Sequence, residues 1–154
     1  MNYLLIIGCS QRKIQSPGEI PAIERYDGPT YRCLRKFRDT FGFPSHLRIL
    51  ILSAKHKFII PGKHILNYDM TMTVERANAM KKEVQGYLQR YICFHSIFYG
   101  SVDEVFINLG KTYRRTLEGF HWGTISTMEA SGGIGLKTQR MKAWLTRLME
   151  ENHE

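Results

Sequence analysis

The chain has 154 residues, of which 43% are hydrophobic and 23% charged, and its formal net charge is +8. These proportions are typical of a globular protein about one domain long, and they exclude a disordered or fibrous chain. The positive charge favours polyanionic partners, nucleic acid above all, although a basic surface that only confers solubility explains the charge equally well.

The first predicted element is a strand over Tyr3–Gly8, a continuous apolar run that ends in glycine and suits a strand buried on both faces. The apolar runs of the chain are much shorter than the roughly 20 residues that cross a bilayer, so neither a membrane span nor a membrane partner is predicted. Residues 2–7 also lack the basic start and the cleavage site of a secretory signal. A location in the cytoplasm is therefore expected.

Strands and helices then alternate along the chain. Apolar spacing predicts a helix over residues 29–41, which begins at Gly28-Pro29, and a buried strand over residues 47–52. Thr73 is the expected N-cap of a longer helix. The further predicted elements are a helix over 74–93, a strand over 102–109, a helix over 112–120, a strand over 124–128 and a helix over 136–150.

This alternation predicts a single α/β domain over residues 1–154, in which a mostly parallel four-stranded sheet is flanked by helices in three layers. Ligands of such domains bind outside the carboxyl ends of the strands, near the point where the strand order reverses. The functional groups are therefore expected in the loops that leave these strand ends.

Three cysteines are widely spaced, with no Cys-x-x-Cys and no Cys/His cluster at zinc-ligand spacing. No metal, cofactor or disulfide framework is predicted, and Cys33 and Cys93 are interpreted as packing residues. Cys9 differs because it follows the first strand and lies close to Arg12 and Lys13. Positive charges favour a thiolate, so a nucleophilic Cys9 is a minor alternative to a role of its backbone amide.

Four loop segments follow the predicted strands. The first, residues 8–13, combines small residues that admit a ligand with donors for an anion from Ser10, Arg12 and Lys13. It lacks the spacing of a P-loop. The alternative interpretation is a polar surface loop.

The second segment runs without predicted regular structure for roughly 18 residues, which is uncommon in a compact domain and usually functional. It begins at Ser53 and contains Lys55, His56, Tyr68 and Asp69, which offer a cation, an imidazole, an aromatic ring and a carboxylate. The alternatives are a solvated loop histidine for His56 and a capping or turn role for Asp69.

The third and fourth segments follow the later strands. Gly110 permits close approach of a ligand, and Tyr113 either stacks on a ring or packs in the core. The glycine-rich start of the last helix contains Gly133, Gly135 and Lys137. Such a start can hold a phosphate, or it is a mere connection.

These segments carry short motifs in a fixed order: Gly8-Cys9-Ser10-x-x-Lys13, Tyr26-x-Gly28-Pro29-x-Tyr31, Leu52-Ser53-Ala54-Lys55-His56 with Pro61, Tyr68-Asp69-x-Thr71-Met72, Gly110-x-x-Tyr113 and Gly133-x-Gly135-x-Lys137. In these motifs the chain resembles a small protein family that is found in bacteria, archaea and phages. That family is distantly similar to the peroxide-stress YaaA proteins and to the core domain of archaeosine synthases. The resemblance implies a uracil-DNA-glycosylase-like fold and work on nucleic acid or a nucleobase. The chain departs from the pattern at His56-Lys57-Phe58, where relatives more often show Tyr-Gly-Leu.

The implied fold and the positive charge favour a nucleobase-processing enzyme, most concretely an N-glycosidase that acts on a base in DNA. Cleavage of a base–sugar bond builds positive charge on the sugar, which Asp69 would stabilise. His56 or Lys55 would then neutralise the departing base. Tyr68 or Tyr113 would stack on an extruded base.

The remaining candidates are binding residues. Lys13, Arg12 and Arg32 would hold phosphates, and the other candidates for nucleic-acid or nucleobase binding are Cys9, Ser10, Ser53, Gly110 and Lys137. Two alternatives stay open: a non-catalytic nucleic-acid-binding module, and an enzyme that acts on a free nucleotide or modified base. DNA is favoured over RNA as the polymer.

Overall fold

The computed structural model describes residues 1–152 and confirms the predicted alternation of strands and helices. In chain order the elements are β1 (Tyr3–Gly8), β2 (Ile20–Pro21), α1 (Ala22–Arg25), α2 (Pro29–Phe41), β3 (Leu47–Ser53), β4 (Lys57–Ile59), β5 (His64–Ile65), α3 (Val74–Tyr99), β6 (Glu104–Asn108), α4 (Lys111–Arg114), β7 (Ser126–Glu129) and α5 (Ile134–Glu151). A 3-10 turn at Arg115–Leu117 follows α4.

The main sheet has five strands in the order β4-β3-β1-β6-β7. β1 pairs in parallel with β3 and β6, and β7 extends the sheet in parallel from β6. The four predicted strands are therefore present and parallel. The prediction of a four-stranded sheet was wrong, because β4 adds an antiparallel strand at one edge and makes the sheet mixed.

A tight reversal after β3 creates this extra strand. The backbone amides of Lys55 and His56 both donate to the Ser53 hydroxyl at 3.1 Å, and Lys57 has a left-handed φ of 62°. The chain then runs back along β3, where Phe58 and Ile59 become buried. The strand has only three residues, which are too few to show the alternating pattern that predicts a strand. Its position depends on a turn that a side chain supports, and such a turn leaves no periodic signal in the sequence.

A second, two-stranded sheet joins β2 to β5 in antiparallel pairing. The segment after β3 was predicted to be irregular for roughly 18 residues, and that prediction was wrong because β4 and β5 both lie within it. Each strand of this small sheet has only two residues, too few for an alternating pattern.

Helices cover both faces of the main sheet. Leu5 and Ile7 point toward the side that α2 and α5 cover, whereas Leu4 and Ile6 belong to the core beneath α3. Successive side chains of a strand alternate between faces, so a strand buried on both faces is apolar throughout, as β1 is.

The boundaries of α2 and α5 follow the predictions closely, whereas the end of α3 and the extent of α4 differ from them. α2 coincides with the predicted range, and the Thr73 side chain caps α3 by accepting from the Arg76 amide at 3.0 Å. α3 continues to Tyr99, beyond the predicted end at residue 93, and the predicted helix over 112–120 is the short α4 plus the 3-10 turn. Within residues 1–152, no helix is both long and apolar enough to cross a membrane.

Candidate functional site

The order of the parallel strands reverses between β1 and β6. The chain passes from β1 through α2 to β3 on one side, and from β3 through α3 to β6 on the other side of β1. The connections thus diverge at the carboxyl ends of β1 and β6 and leave a crevice there. A cavity of about 240 Å³ occupies it, lined by Gly8, Cys9, Thr30, Asn108, Gly110, Tyr113, Ile134 and Lys137.

Two helices begin at this cavity. Thr30 belongs to the first turn of α2 and Lys137 to the first turn of α5, and hydroxyls of Thr30 and Thr138 lie 3.3 Å apart across the two helix starts. Lys137 Nζ donates to the Leu109 carbonyl oxygen at 2.9 Å. The positive ends of two helix dipoles and one ammonium therefore give the cavity a positive wall, which suits an anion or a carbonyl oxygen.

Cys9 also lines the cavity and is half-buried. Its amide donates to the Leu52 carbonyl oxygen at 2.9 Å, which continues the pairing of β1 with β3. Its Sγ atom lies 2.9 Å from the Tyr113 hydroxyl. Burial, followed by the electrostatic effect of Cys9, raises the pKa of Tyr113, so this phenol is neutral at pH 7. Both side chains thus face the cavity rather than the core alone.

A cluster of tyrosine and lysine residues adjoins the crevice. The Tyr68 hydroxyl hydrogen-bonds to that of Tyr26 at 2.6 Å and to Ser53 Oγ at 2.8 Å. The ring of Tyr68 has Lys13 Nζ at 4.4 Å and Lys55 Nζ at 5.4 Å from its centroid, both within cation–π range. Burial raises the pKa of Tyr26 to about 12, and it also raises the pKa of Tyr68. Both phenols therefore stay neutral at pH 7.

Lys13 is buried although it is charged, with only 9% of its surface exposed. Burial lowers its pKa, and negative charge on Cys9 and Asp69 acts in the opposite direction. Its Nζ donates to the Gln11 carbonyl oxygen at 3.2 Å, and no carboxylate of residues 1–152 lies within ion-pair distance of it. A buried ammonium with no carboxylate in direct ion-pair contact among the described residues favours the arrival of an anionic ligand.

Asp69 is exposed at the rim beside this cluster. Thr73, not Asp69, caps α3, so the predicted capping alternative for Asp69 does not hold for that helix. Gln11 Nε2 donates to Thr71 Oγ1 at 3.0 Å, which holds the segment of Asp69 against the loop that follows β1. Within residues 1–152 the carboxylate forms no side-chain hydrogen bond or ion pair, and it is therefore available to a ligand.

Two residues that were predicted to bind phosphate, Arg12 and Arg32, form ion pairs with a carboxylate. Arg12 and Arg32 lie 3.5 Å and 3.2 Å from Asp27, which Arg35 also approaches to 2.6 Å. The side chains of Arg12 and Arg32 are 70% and 51% exposed, and exposed ion pairs are weak. The ion pairs with Asp27 therefore hold neither arginine firmly.

Ser10 supports the loop rather than the cavity. A Cβ atom at Gly28 would lie 2.6 Å from Ser10 Oγ, so Gly28 is needed for the loop after β1 to pack on the start of α2. Tyr31, one turn into α2, donates to the Gly8 carbonyl oxygen at 2.7 Å. These contacts fix the position of the loop that carries Cys9 and Lys13.

His56 lines a second cavity, distinct from the crevice between β1 and β6. Its ring meets that of Tyr68 edge-on, with centroids 5.2 Å apart, and its Nε2 atom is buried without a hydrogen-bond partner within the described residues. Burial, and then the charges of Lys55 and Lys63, lower the pKa of His56. The imidazole is therefore neutral at pH 7.

The comparison with protein families matches almost the whole chain. The model of a family of unknown function, DUF6884, covers residues 4–147. The chain belongs to this family. No curated protein matches it. The strand-end loops described above all fall within the matched range, so the candidate site of this DUF6884 chain is built from the part that the family model covers.

The structure brings most of the predicted residues of this DUF6884 chain to one edge of the sheet. Those around the crevice or the adjoining cluster are Cys9, Lys13, Ser53, Lys55, Tyr68, Gly110, Tyr113 and Lys137. Asn108 was missed, although a buried polar residue at the end of an apolar strand is a detectable signal. Neither Tyr26 nor Tyr31 was predicted as a site residue, yet their hydroxyls hydrogen-bond to Tyr68 and to the Gly8 carbonyl oxygen at this edge.

Acidification is expected to destabilise the DUF6884 chain through His56. The folded pKa lies below the usual 6.5, so between these two values the unfolded chain binds a proton that the folded chain does not. The free energy of unfolding therefore falls as the pH drops from 6.5 to the folded pKa, and this contribution is constant below that value. Urea unfolding of wild type and of His56→Gln across this pH range measures the effect, and the free energy of unfolding should depend less on pH in the variant. An equal pH dependence in the two proteins would contradict this role of His56.

Proposed function

We propose that this chain is an N-glycosidase that removes a nucleobase from DNA in the crevice between β1 and β6. The observation that carries the proposal is the buried ammonium of Lys13, which has no carboxylate partner within the described residues and lies over the ring of Tyr68. A nucleotide combines the two groups that such a pair would bind, a phosphate and an aromatic base.

A uracil-DNA-glycosylase-like fold, and a distant relationship to the YaaA proteins and archaeosine synthases, are part of this proposal. The support for them is the parallel arrangement of β3, β1, β6 and β7, with helices on both faces and a crevice at the reversal of strand order. The ordered motifs at the strand ends are a further argument.

The proposed binding mode places the base in the crevice. The cavity of about 240 Å³ is smaller than typical drug-sized pockets and has room for a single base. Tyr68 or Tyr113 would stack on that base, and Lys13 and Lys55 would hold its phosphates. The positive wall formed by Lys137 and the two helix starts would accept the carbonyl oxygens of a base.

The proposed reaction is hydrolysis of the bond between the sugar and the base. As this bond breaks, its electron pair goes to the base, and the oxygen of a water molecule forms a new bond to the sugar carbon. Asp69 would stabilise the positive sugar and accept the proton of the water, while an acid protonates the base. Lys55 is a better acid than His56 here, because His56 is neutral and lines the other cavity.

A direct assay tests the proposal. Single-stranded and duplex DNA with ordinary and modified bases is incubated with the protein, and free base and abasic sites are measured. Lys13→Met is expected to lose most of the activity, whereas Lys142→Met, which removes an exposed charge from α5, should retain it. If neither DNA nor free nucleosides are altered, the proposed activity is wrong.

The size of the cavity also favours a second candidate, an enzyme that acts on a free nucleotide or modified base. A cavity for one base requires no extended polymer groove. The same assay separates the two candidates: release of base from nucleosides but not from DNA would favour the smaller substrate.

A further inference from the structure

A groove runs along α3 on the face of the sheet opposite α2 and α5. Its first part is the cavity of about 640 Å³ that His56 lines, together with Lys57, Phe58, Lys82, Glu83, Gly86, Tyr87 and Arg90. Its second part is a cavity of about 240 Å³ lined by Tyr87, Arg90, Tyr91 and Phe94. The two parts share Tyr87 and Arg90, and we call the whole the α3 groove.

The charge of the α3 groove is positive. Lys82 and Arg90 are exposed, and within the described part of the chain neither forms an ion pair. Lys57 pairs with Glu83, the one carboxylate among the residues that line the groove. The Arg90 guanidinium lies beside Gly86, 3.3 Å from where a Cβ atom of that residue would be. Three cations thus face a single carboxylate, which suits a polyanion.

Aromatic rings continue the groove beyond these cations. Tyr87 and Tyr91 are stacked, with centroids 6.3 Å apart and an angle of 17° between their planes. Phe94 follows on the same helix and is 64% exposed. Tyr87 and Tyr91 are half-buried, so each keeps part of its surface accessible beside the exposed cations. Accessible rings beside exposed cations are the combination that holds single strands, because phosphates need cations and unpaired bases stack on rings.

We propose that the α3 groove binds a single strand of nucleic acid, with phosphates at Lys82 and Arg90 and bases on Tyr91 and Phe94. A duplex fits less well because its bases are already stacked and cannot reach the rings. An apolar protein segment would bury the two unpaired cations without a counter-ion, which is costly.

The α3 groove adjoins the candidate active site. His56 lines its near end, and the His56 ring touches Tyr68, over which Lys13 and Lys55 lie. A strand with one base in the crevice would continue along α3. The inference goes beyond the proposed function because binding in the groove does not require that any base be cleaved.

Fluorescence anisotropy with a labelled single-stranded DNA of about 16 nucleotides tests this inference on the full chain. The double variant Lys82→Ser/Arg90→Ser is expected to bind at least tenfold more weakly. A plot of log affinity against log salt has a negative slope, and in this variant the slope should be less negative by about 1.4. Each phosphate contact to a single strand contributes about 0.7 to its magnitude. Phe94→Ser should bind roughly fivefold more weakly with little change in slope.

A matched control removes the same charge from the other face. Lys36→Ser/Lys142→Ser replaces exposed lysines of α2 and α5 and is expected to bind nearly as wild type does. An equal loss of affinity for the single-stranded DNA in the two double variants would overturn the inference, because the loss would then reflect net charge alone. A dimer in light scattering that Phe94→Ser dissociates would also overturn it, since a second copy would then cover the groove.

Base release from a free nucleoside separates this inference from the proposed function. The variant Lys82→Ser/Arg90→Ser should keep that activity, because the groove lies outside the crevice. If wild type releases no base but binds the strand through the groove, the proposed function fails and the inference holds.

Discussion

Replacing Asp69 with asparagine is expected to lower the rate of base release by roughly a thousandfold, while the fold and the affinity for DNA are retained. Asparagine keeps the size of the side chain but can neither stabilise a positive sugar nor accept a proton from water. Asp69 is exposed and forms no side-chain hydrogen bond within residues 1–152, so the substitution should cost little stability.

Base release by wild type and Asp69→Asn, each measured at saturating DNA, checks this expectation. Glu150→Gln is the matched control, because it removes one exposed carboxylate from α5 far from the strand ends. Full activity of Asp69→Asn would show that another group stabilises the transition state. A loss of DNA affinity in step with the rate would assign Asp69 to binding instead.

Replacing Arg25 with methionine is expected to destabilise the fold by about 3–5 kcal/mol. Arg25 is fully buried, and its guanidinium donates at 2.6–3.3 Å to four backbone carbonyl groups, those of Ile14, Ser16, Gly18 and Ile65. Methionine fills a similar volume but leaves these carbonyl groups without a donor. The loop after β1 would then lose its attachment to β5.

Urea unfolding measures this effect. Arg140→Met is the control, since Arg140 is exposed and its side chain donates only to Ser131 Oγ among residues 1–152. It should change the free energy of unfolding by less than about 0.5 kcal/mol. Arg25→Lys keeps the charge but has fewer hydrogen-bond donors, so its loss of unfolding free energy should lie between those of Arg25→Met and Arg140→Met. A loss below about 1 kcal/mol in Arg25→Met would contradict the structural role of the guanidinium.

The architecture could be predicted where burial determines the sequence. β1, β3 and β6 are apolar because both faces of the sheet are covered, and α2 follows from its apolar spacing and from Gly28-Pro29. β4 and the small sheet could not be predicted in the same way. The turn into β4 depends on the Ser53 hydroxyl and on the left-handed Lys57, which leave no periodic signal. Each strand of the small sheet has only two residues, which is too short for an alternating pattern.

The position of the candidate site followed from topology, whereas its internal contacts did not. Parallel strands bring their carboxyl ends to one edge, so the loops with Cys9, Ser53 and Gly110 were expected to be neighbours. The burial of Lys13 and the turn of His56 into the α3 groove depend on tertiary packing. A loop sequence alone does not specify such orientations.

The crystal structure of Asp69→Asn bound to a short single-stranded DNA tests the central claim most directly. The account predicts one base in the crevice between β1 and β6, stacked on Tyr68 or Tyr113, with a phosphate at Lys13. A strand that lies elsewhere on the molecule while the crevice is empty of any base would contradict it.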